Sequence, residues 1–159
     1  MRMKNMLMAF GLVFFTQVAL AQDTVDLAEC QIAGIDFTDD LEQAENVLGE
    51  PTHLPPPCVG CTDTPQSWIG YEGLKIWHSY GEIFRFEVSS PKYRLRSGVG
   101  VDSSRTEVVT SFGEGRIRVS NGVELITYSI TSKNGQATRL VLEFALSDEV
   151  VSAFEITPR

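Results

Sequence analysis

Laid over itself with an offset of 64 residues, the chain brings GIDFTDDLEQAENVLGE (Gly34 to Glu50) onto GVGVDSSRTEVVTSFGE (Gly98 to Glu114) without a gap. Gly34/Gly98, Gly49/Gly113 and Glu50/Glu114 are identical. Ile35/Val99, Phe37/Val101, Ala44/Val108 and Leu48/Phe112 keep apolar character. An offset of 68 then lays Leu74 to Val88 over Leu142 to Ile156, with identities at Leu74/Leu142, Ser79/Ser147, Phe86/Phe154 and Glu87/Glu155. Self-similarity of this kind constrains a fold more than any single element, because each unit has to bury its apolar side against a neighbour of like shape.

Each half opens with the same helix signals. Asp40 and Ser104 are N-cap residues, and Gln43 and Glu107 stand three positions on, as a capping box requires. Leu41, Ala44 and Leu48 line one face of the first helix. Val108 and Phe112 do so in the second, with Arg105 in the place of Leu41. Gly49 and Gly113 are expected to stop the helices in the left-handed conformation. The spacing predicts helices over 41–48 and 105–112. Helices that short are unstable alone and need a surface to lie on.

That surface is predicted to be antiparallel sheet. Leu74, Ile76 and His78 alternate with Lys75, Trp77 and Ser79, and Phe84, Phe86 and Val88 alternate with Arg85, Glu87 and Ser89. Later in the chain Leu140, Leu142, Phe144 and Leu146 share a face, as do Ser152, Phe154 and Ile156. Ile126, Tyr128 and Ile130 mark a further strand. Gly81, Asn121-Gly122, Asn134-Gly135 and Ser147-Asp148 supply the hairpin turns. The fold class that results is α+β: two tandem helix-plus-antiparallel-meander repeats, about 32–91 and 96–158, forming one sheet with short helices on one face.

The N-terminus reads as a cleavable secretory signal. Arg2 and Lys4 precede an apolar run from Met6 to Leu20, broken only by Thr16 and Gln17, and Ala19-Leu20-Ala21 is a small-x-small cleavage pattern. The run is shorter than the roughly 20 residues a spanning helix needs, and the first cysteine, Cys30, does not follow the cleavage point as a lipid-bearing one would. Residues 1–21 are therefore expected to leave, giving a single periplasmic or secreted domain, 22–159, with no membrane span. Two of the 13 basic residues and no acidic ones go with the signal, so the formal charge falls from −8 to −10. Such a field disfavours nucleic acid and anionic lipid as partners.

The Gly-apolar-x-apolar start, capped helix, Gly-Glu stop and following meander resemble the repeat of β-lactamase inhibitory protein. They resemble also the helix-then-meander unit of the small outer-membrane assembly lipoproteins (SmpA/OmlA). The resemblance covers roughly residues 32–158. It implies one sheet under two helices and a habit of binding other proteins. The missing lipid-bearing cysteine departs from the lipoproteins, and Cys30, Cys58 and Cys61 do not reproduce the inhibitor's cysteine pattern.

Chemistry-bearing motifs are few. The segment Pro51 to Ser67 holds Pro55-Pro56-Pro57 and then Cys58-Val59-Gly60-Cys61. Thr62 stands where haem attachment needs histidine. The preceding prolines and Pro65 deny Cys58 the helix N-terminus that thioredoxin-type thiolates use. A zinc-like set of Cys58 and Cys61 with His53 and His78 follows no established spacing. The reading adopted is a Cys58–Cys61 disulfide, as an oxidising compartment favours, with Cys30 either left as a buried thiol or joined to one of the pair. A thiol-redox or metal-binding periplasmic protein is the alternative. Asp36, Asp39 and Asp40 lack the glycine and distal glutamate of a calcium loop and suit a helix N-terminus. No nucleophile elbow, zinc-protease motif or phosphate loop occurs, so neither catalytic residue, metal nor cofactor is expected.

Trp77 lies one residue out of register with the core-facing Leu74, Ile76, Phe84 and Phe86, so it faces the other side of the sheet, near Lys75, Arg85 and Glu87. That is the composition of a protein-contact patch. The competing reading has the 51–67 segment, with Trp68 and its prolines, covering the same face. The expectation is a non-enzymatic exported protein-binding module, of inhibitor or envelope-assembly type, whose partner is another protein.

Overall fold

Asp40 and Ser104 each accept a hydrogen bond from the backbone N–H three residues on, and the side-chain oxygens of Gln43 and Glu107 each accept one from the cap's own N–H. These reciprocal boxes open helices α1 (Leu41–Leu48) and α2 (Arg105–Phe112). The computed structural model describes residues 23–54, 67–132 and 134–159. The expected signal segment, the proline run and Cys58 with Cys61 lie outside the described residues.

Both helices end at glycine, though not in the left-handed helical conformation expected. Gly49 has φ 85° and ψ −167°, and Gly113 φ 86° and ψ −172°. This positive-φ extended region is essentially closed to side chains, so glycine is required here for a stronger reason than a left-handed cap. The glycine N–H still closes the last helical turn, onto Glu45 O and Val109 O.

Among the described residues, eight strands form one open sheet. They are β1 (Thr24–Asp26), β2 (Ser67–Tyr71), β3 (Leu74–Ser79), β4 (Glu82–Val88), β5 (Arg116–Ser120), β6 (Val123–Thr131), β7 (Ala137–Ser147) and β8 (Val150–Pro158). The order is β1-β6-β7-β8-β4-β3-β2, with β5 also pairing β6. β1, the one parallel member of that path, runs beside residues 129–131, just beyond the stretch of β6 that β5 occupies. The centre of the sheet is the antiparallel β4–β8 pair, in which Glu87 stands opposite Glu155, Phe86 opposite Ile156 and Val88 opposite Phe154.

Registered partners point to the same face, so the pairings fix the core. Tyr71, Leu74 and Val88 join Ile69, Ile76, Phe86, Ile156, Leu142 and Tyr128 on one side, with Phe154, Phe144 and Ile126 beside them. All of these are buried. Both helices lie on that side. The Tyr71 hydroxyl donates to Gly49 O at 3.2 Å and the Tyr128 hydroxyl to Gly113 O at 2.7 Å, tying each helix end to its strand. Phe112 of α2 stacks on Phe144, and Phe37, just before α1, meets Phe86 edge-on at 4.9 Å. The short helices are thus held by the sheet rather than by their own propensity.

Two alternations read from the sequence fail at one residue each. Trp77 pairs with Arg85 but His78 with Ile83, so Phe84 is the extra residue of a β-bulge. Phe84 is only half-buried, and Ile83 takes the core place expected for it. Ala145 likewise pairs with Ala153 but Leu146 with Val151, leaving Ser152 as the extra, exposed residue and Val151 fully buried. Apolar side chains at Ile83 and Val151 gain more from burial than strict alternation would give, and the bulge lets them turn in.

Candidate protein-contact face

The side of the sheet opposite the helices collects the four residues singled out by sequence. Trp77 and Lys75 leave β3, and Arg85 and Glu87 leave β4, on the same face. The Trp77 indole N–H donates to Glu87 Oε1 at 2.9 Å. The Arg85 guanidinium lies 5.6 Å from the Trp77 ring centroid and pairs with Glu87 at 2.9 Å and Glu155 at 2.7 Å. Lys75 reaches Glu87 at 3.6 Å and sits 5.2 Å from the Trp68 ring. Trp77 is half-buried, neither core nor fully open.

The competing sequence reading placed Trp68 with a covering loop, whereas it belongs to edge strand β2 opposite Trp77, with ring centroids 6.3 Å apart. The imidazole of His53 stacks on Trp68 at 4.5 Å with an interplanar angle of 10°. Gly70 makes this possible. A Cβ there would come within 2.8 Å of the Trp68 ring and 3.1 Å of the His53 Cβ. The signal that could have revealed β2 is the Ile69, Tyr71 alternation beside it.

Sequence reasoning also missed a row of carboxylates. Reading across the sheet, Lys75 faces Glu87, Glu87 faces Glu155, Glu155 faces Glu143, and Glu143 faces Thr127. Like charges directly opposite oppose pairing. Arg85 offsets this by bridging Glu87 and Glu155, while Glu143 is held by Arg118 at 3.0 Å and by the Thr127 hydroxyl at 2.8 Å. Such part-exposed pairs contribute at most about 1 kcal/mol each. Beside the row, Ala145 and Ala153 floor an open depression of about 500 Å³, rimmed by Glu87, Glu143, Glu155 and Lys75.

The two histidines do not come together. His53 lies on Trp68 at the open face, whereas His78 pairs with the buried Ile83 on the helix side. Burial lowers the His78 pKa, with Glu45 opposing, and its Nδ1 has no hydrogen-bond partner among the described residues. The sheet therefore separates the two histidines of the zinc-like set, whose Cys58 and Cys61 lie outside the described residues. Among the described residues no group of three or more histidine, cysteine, aspartate or glutamate side chains is placed to hold a metal. Asp36 instead accepts from Thr38, and its backbone N–H donates to Asp39, as in a loop that leads into a helix. Cys30 is a buried free thiol. Burial, then Asp26 and Glu29, push its pKa up to about 12, which leaves it unreactive at neutral pH. No helix among the described residues is long and apolar enough to cross a membrane.

No protein-family profile and no curated protein sequence matches the chain. Among solved structures it is similar to a DUF4309 family protein (YjgB) from Bacillus subtilis, at 14% identity and TM-score 0.40, over 76% of this chain and 78% of that one. It is similar also to an extracellular protein containing an SCP domain from Bacillus anthracis, at 9% identity and TM-score 0.44, over 75% of this chain and 43% of that one. A third is a proposed β-lactamase inhibitor protein from Streptococcus mutans, at 12% identity and TM-score 0.29, covering 75% and 82%. Likeness at this level bears on neither activity nor partner.

Proposed function

We propose that the chain is an exported, non-enzymatic protein-binding module, built from two copies of a helix-plus-meander unit that resembles the repeat of β-lactamase inhibitory protein. The open sheet face is its contact surface. The observation that carries this reading is the clustering of Trp77, Trp68, Lys75, Arg85 and Glu87 on the face that the helices leave free. Tryptophan and arginine, here side by side, are among the residues that dominate protein interfaces.

The duplication is supported by paired details. The capping boxes, the ε-region glycine stops, the tyrosine-to-glycine tethers and the bulges at Phe84 and Ser152 recur at corresponding places. Duplicated scaffolds commonly keep the core and diverge on the surface. Trp77, Lys75 and Arg85 correspond to Ala145, Glu143 and Ala153, so the two halves of the face differ where binding would select.

The test is retrieval from an envelope or culture-supernatant extract by the mature chain beginning at Gln22. A specific partner should be recovered by the native protein and by a helix-side control, Glu42→Lys. It should be lost with Trp77→Ala and with Lys75→Glu combined with Arg85→Glu. Recovery unaffected by the face variants refutes the assignment of the surface.

A further inference from the structure

We propose that the depression over Ala145 and Ala153 receives an arginine-and-aromatic side-chain pair from a partner protein, in the arrangement that Arg85 and Trp77 adopt on the other half of the face. This rests on reading the open face as a contact surface and names what that surface recognises.

The strand registers make the two halves comparable position by position. In β3–β4, Trp77 stands opposite Arg85 and Lys75 opposite Glu87. In β7–β8, Ala145 stands opposite Ala153 and Glu143 opposite Glu155. The halves meet where Glu87 faces Glu155. On the first half a guanidinium over an indole satisfies Glu87, with the indole N–H on the same carboxylate. On the second half the corresponding side chains are two methyl groups, and together with Gly73, Ser89 and Arg85 of the first half they line the depression of about 500 Å³, within the size range of ligand-binding clefts.

Charge points the same way. Three glutamates lie side by side on β4, β8 and β7, and Arg85 is shared between two of them. Glu87 has the indole and Lys75 in addition, and Glu143 has Arg118 and Thr127. Glu155, in the lining of the depression, has only its share of Arg85 among the described residues. A second guanidinium placed there would pair with Glu155 and relieve the repulsion along the row. An aromatic ring on the Ala145–Ala153 floor would complete a cation–π pair sheltered from water. An acidic chain, with formal charge −8, would also steer such a cationic segment towards the face.

The test is a nuclear magnetic resonance titration of the mature chain with acetyl-Trp-Arg-amide. Saturable shifts are expected at the amides of Ala145, Ala153 and Glu155, with acetyl-Trp-Glu-amide binding about tenfold more weakly or not at all. Glu155→Gln should weaken the arginine probe by about tenfold. Ala145→Trp combined with Ala153→Arg, which fills the depression from within, should abolish binding. If that double variant loses its circular dichroism, Ala153→Leu serves as the blocking change. No saturable shift, or equal binding of the acidic probe, overturns the proposal. Concentration-dependent dimerisation in sedimentation, lost in Ala153→Leu, would make a second copy the occupant and overturn it also. An extract partner that is lost with Trp77→Ala but kept by the filled variant would leave the contact face standing and refute the depression alone.

Discussion

Ile76 and Trp77 are chain neighbours on opposite faces of β3, and truncating each to alanine separates core from contact surface. Ile76 is fully buried beneath the helices. Its truncation removes about three carbon groups at about 0.8 kcal/mol each and leaves a cavity, so a loss of about 2–5 kcal/mol is expected. Trp77 is half-buried, and its ring makes three separable contacts. The exposed cation–π contact with Arg85 is worth about 0.5–1 kcal/mol, and the tilted contact with Trp68 about 0.5 kcal/mol. The hydrogen bond to a part-exposed Glu87 adds about 1 kcal/mol. Trp77→Ala should thus cost about 2 kcal/mol of stability, at or below the low end for Ile76→Ala. It should weaken partner binding by a further 2 kcal/mol or more, about thirtyfold in Kd. Urea denaturation gives the first quantity and titration with the retrieved partner the second. Trp77→Phe should keep most of the stability and lose the indole bond to Glu87. If Trp77→Ala shifts the midpoint as far as Ile76→Ala does, the tryptophan is core and the contact-face reasoning fails.

Other consequences follow from single groups. Tyr128→Phe removes the shorter helix tether and leaves the Gly113 carbonyl without its donor, at about 1–3 kcal/mol, whereas Tyr71→Phe, with its longer bond, should cost about 0.5–1.5 kcal/mol. Chemical denaturation of the two variants checks the order. Stability should fall at alkaline pH. Burial, then Glu114, against the opposing Arg105, raises the Tyr128 hydroxyl from 10.0 to about 12, and Cys30 rises from 9.0 to about 12. Each favours its neutral form in the fold, so its contribution is complete below the unfolded pKa and is lost as pH rises through about 12. Tyr128→Phe and Cys30→Ala should each flatten that decline in a pH series of melting curves. Gly70→Ala should force the Trp68 ring off its seat, costing about 1–3 kcal/mol and changing the near-ultraviolet tryptophan signal. Denatured without reductant, the mature chain should show one reactive thiol, with Cys58 and Cys61 joined in one peptide by mass mapping. Three reactive thiols, or bound zinc, would overturn the disulfide reading.

The parts of the fold legible in the sequence are those fixed by local chemistry. A cap residue, its partner three positions on and a terminal glycine specify a helix within ten residues, and 41–48 and 105–112 are the helices observed. The alternation in β3 and β7 is equally local, and it put Trp77 on the correct side of the sheet. The bulges were not legible, because Phe84 looks more like a core residue than Ile83 does until His78 is known to pair with Ile83. β1 was missed for a related reason. Three residues carry no pattern, and only the parallel partner in β6, about a hundred positions away in sequence, makes them a strand.

The candidate site divides along the same line. Lys75, Trp77, Arg85 and Glu87 belong to one hairpin, so alternation alone gathers them. Glu155 and Glu143 enter through the β4–β8 pairing, which reverses the order expected from simple strand succession and brings Glu87 face to face with its counterpart. The carboxylate row is therefore a property of topology, not of any segment. In this sheet two similar hairpins meet edge to edge with like residues opposed. A charge kept in both halves is set against itself, and Arg85, present in one half only, has to serve two glutamates. That inequality between the halves, large and cationic on one side against small on the other, is what the proposed contact surface draws on: one half of the face is filled by Trp77 and Arg85, and the other carries only Ala145 and Ala153 at the corresponding places.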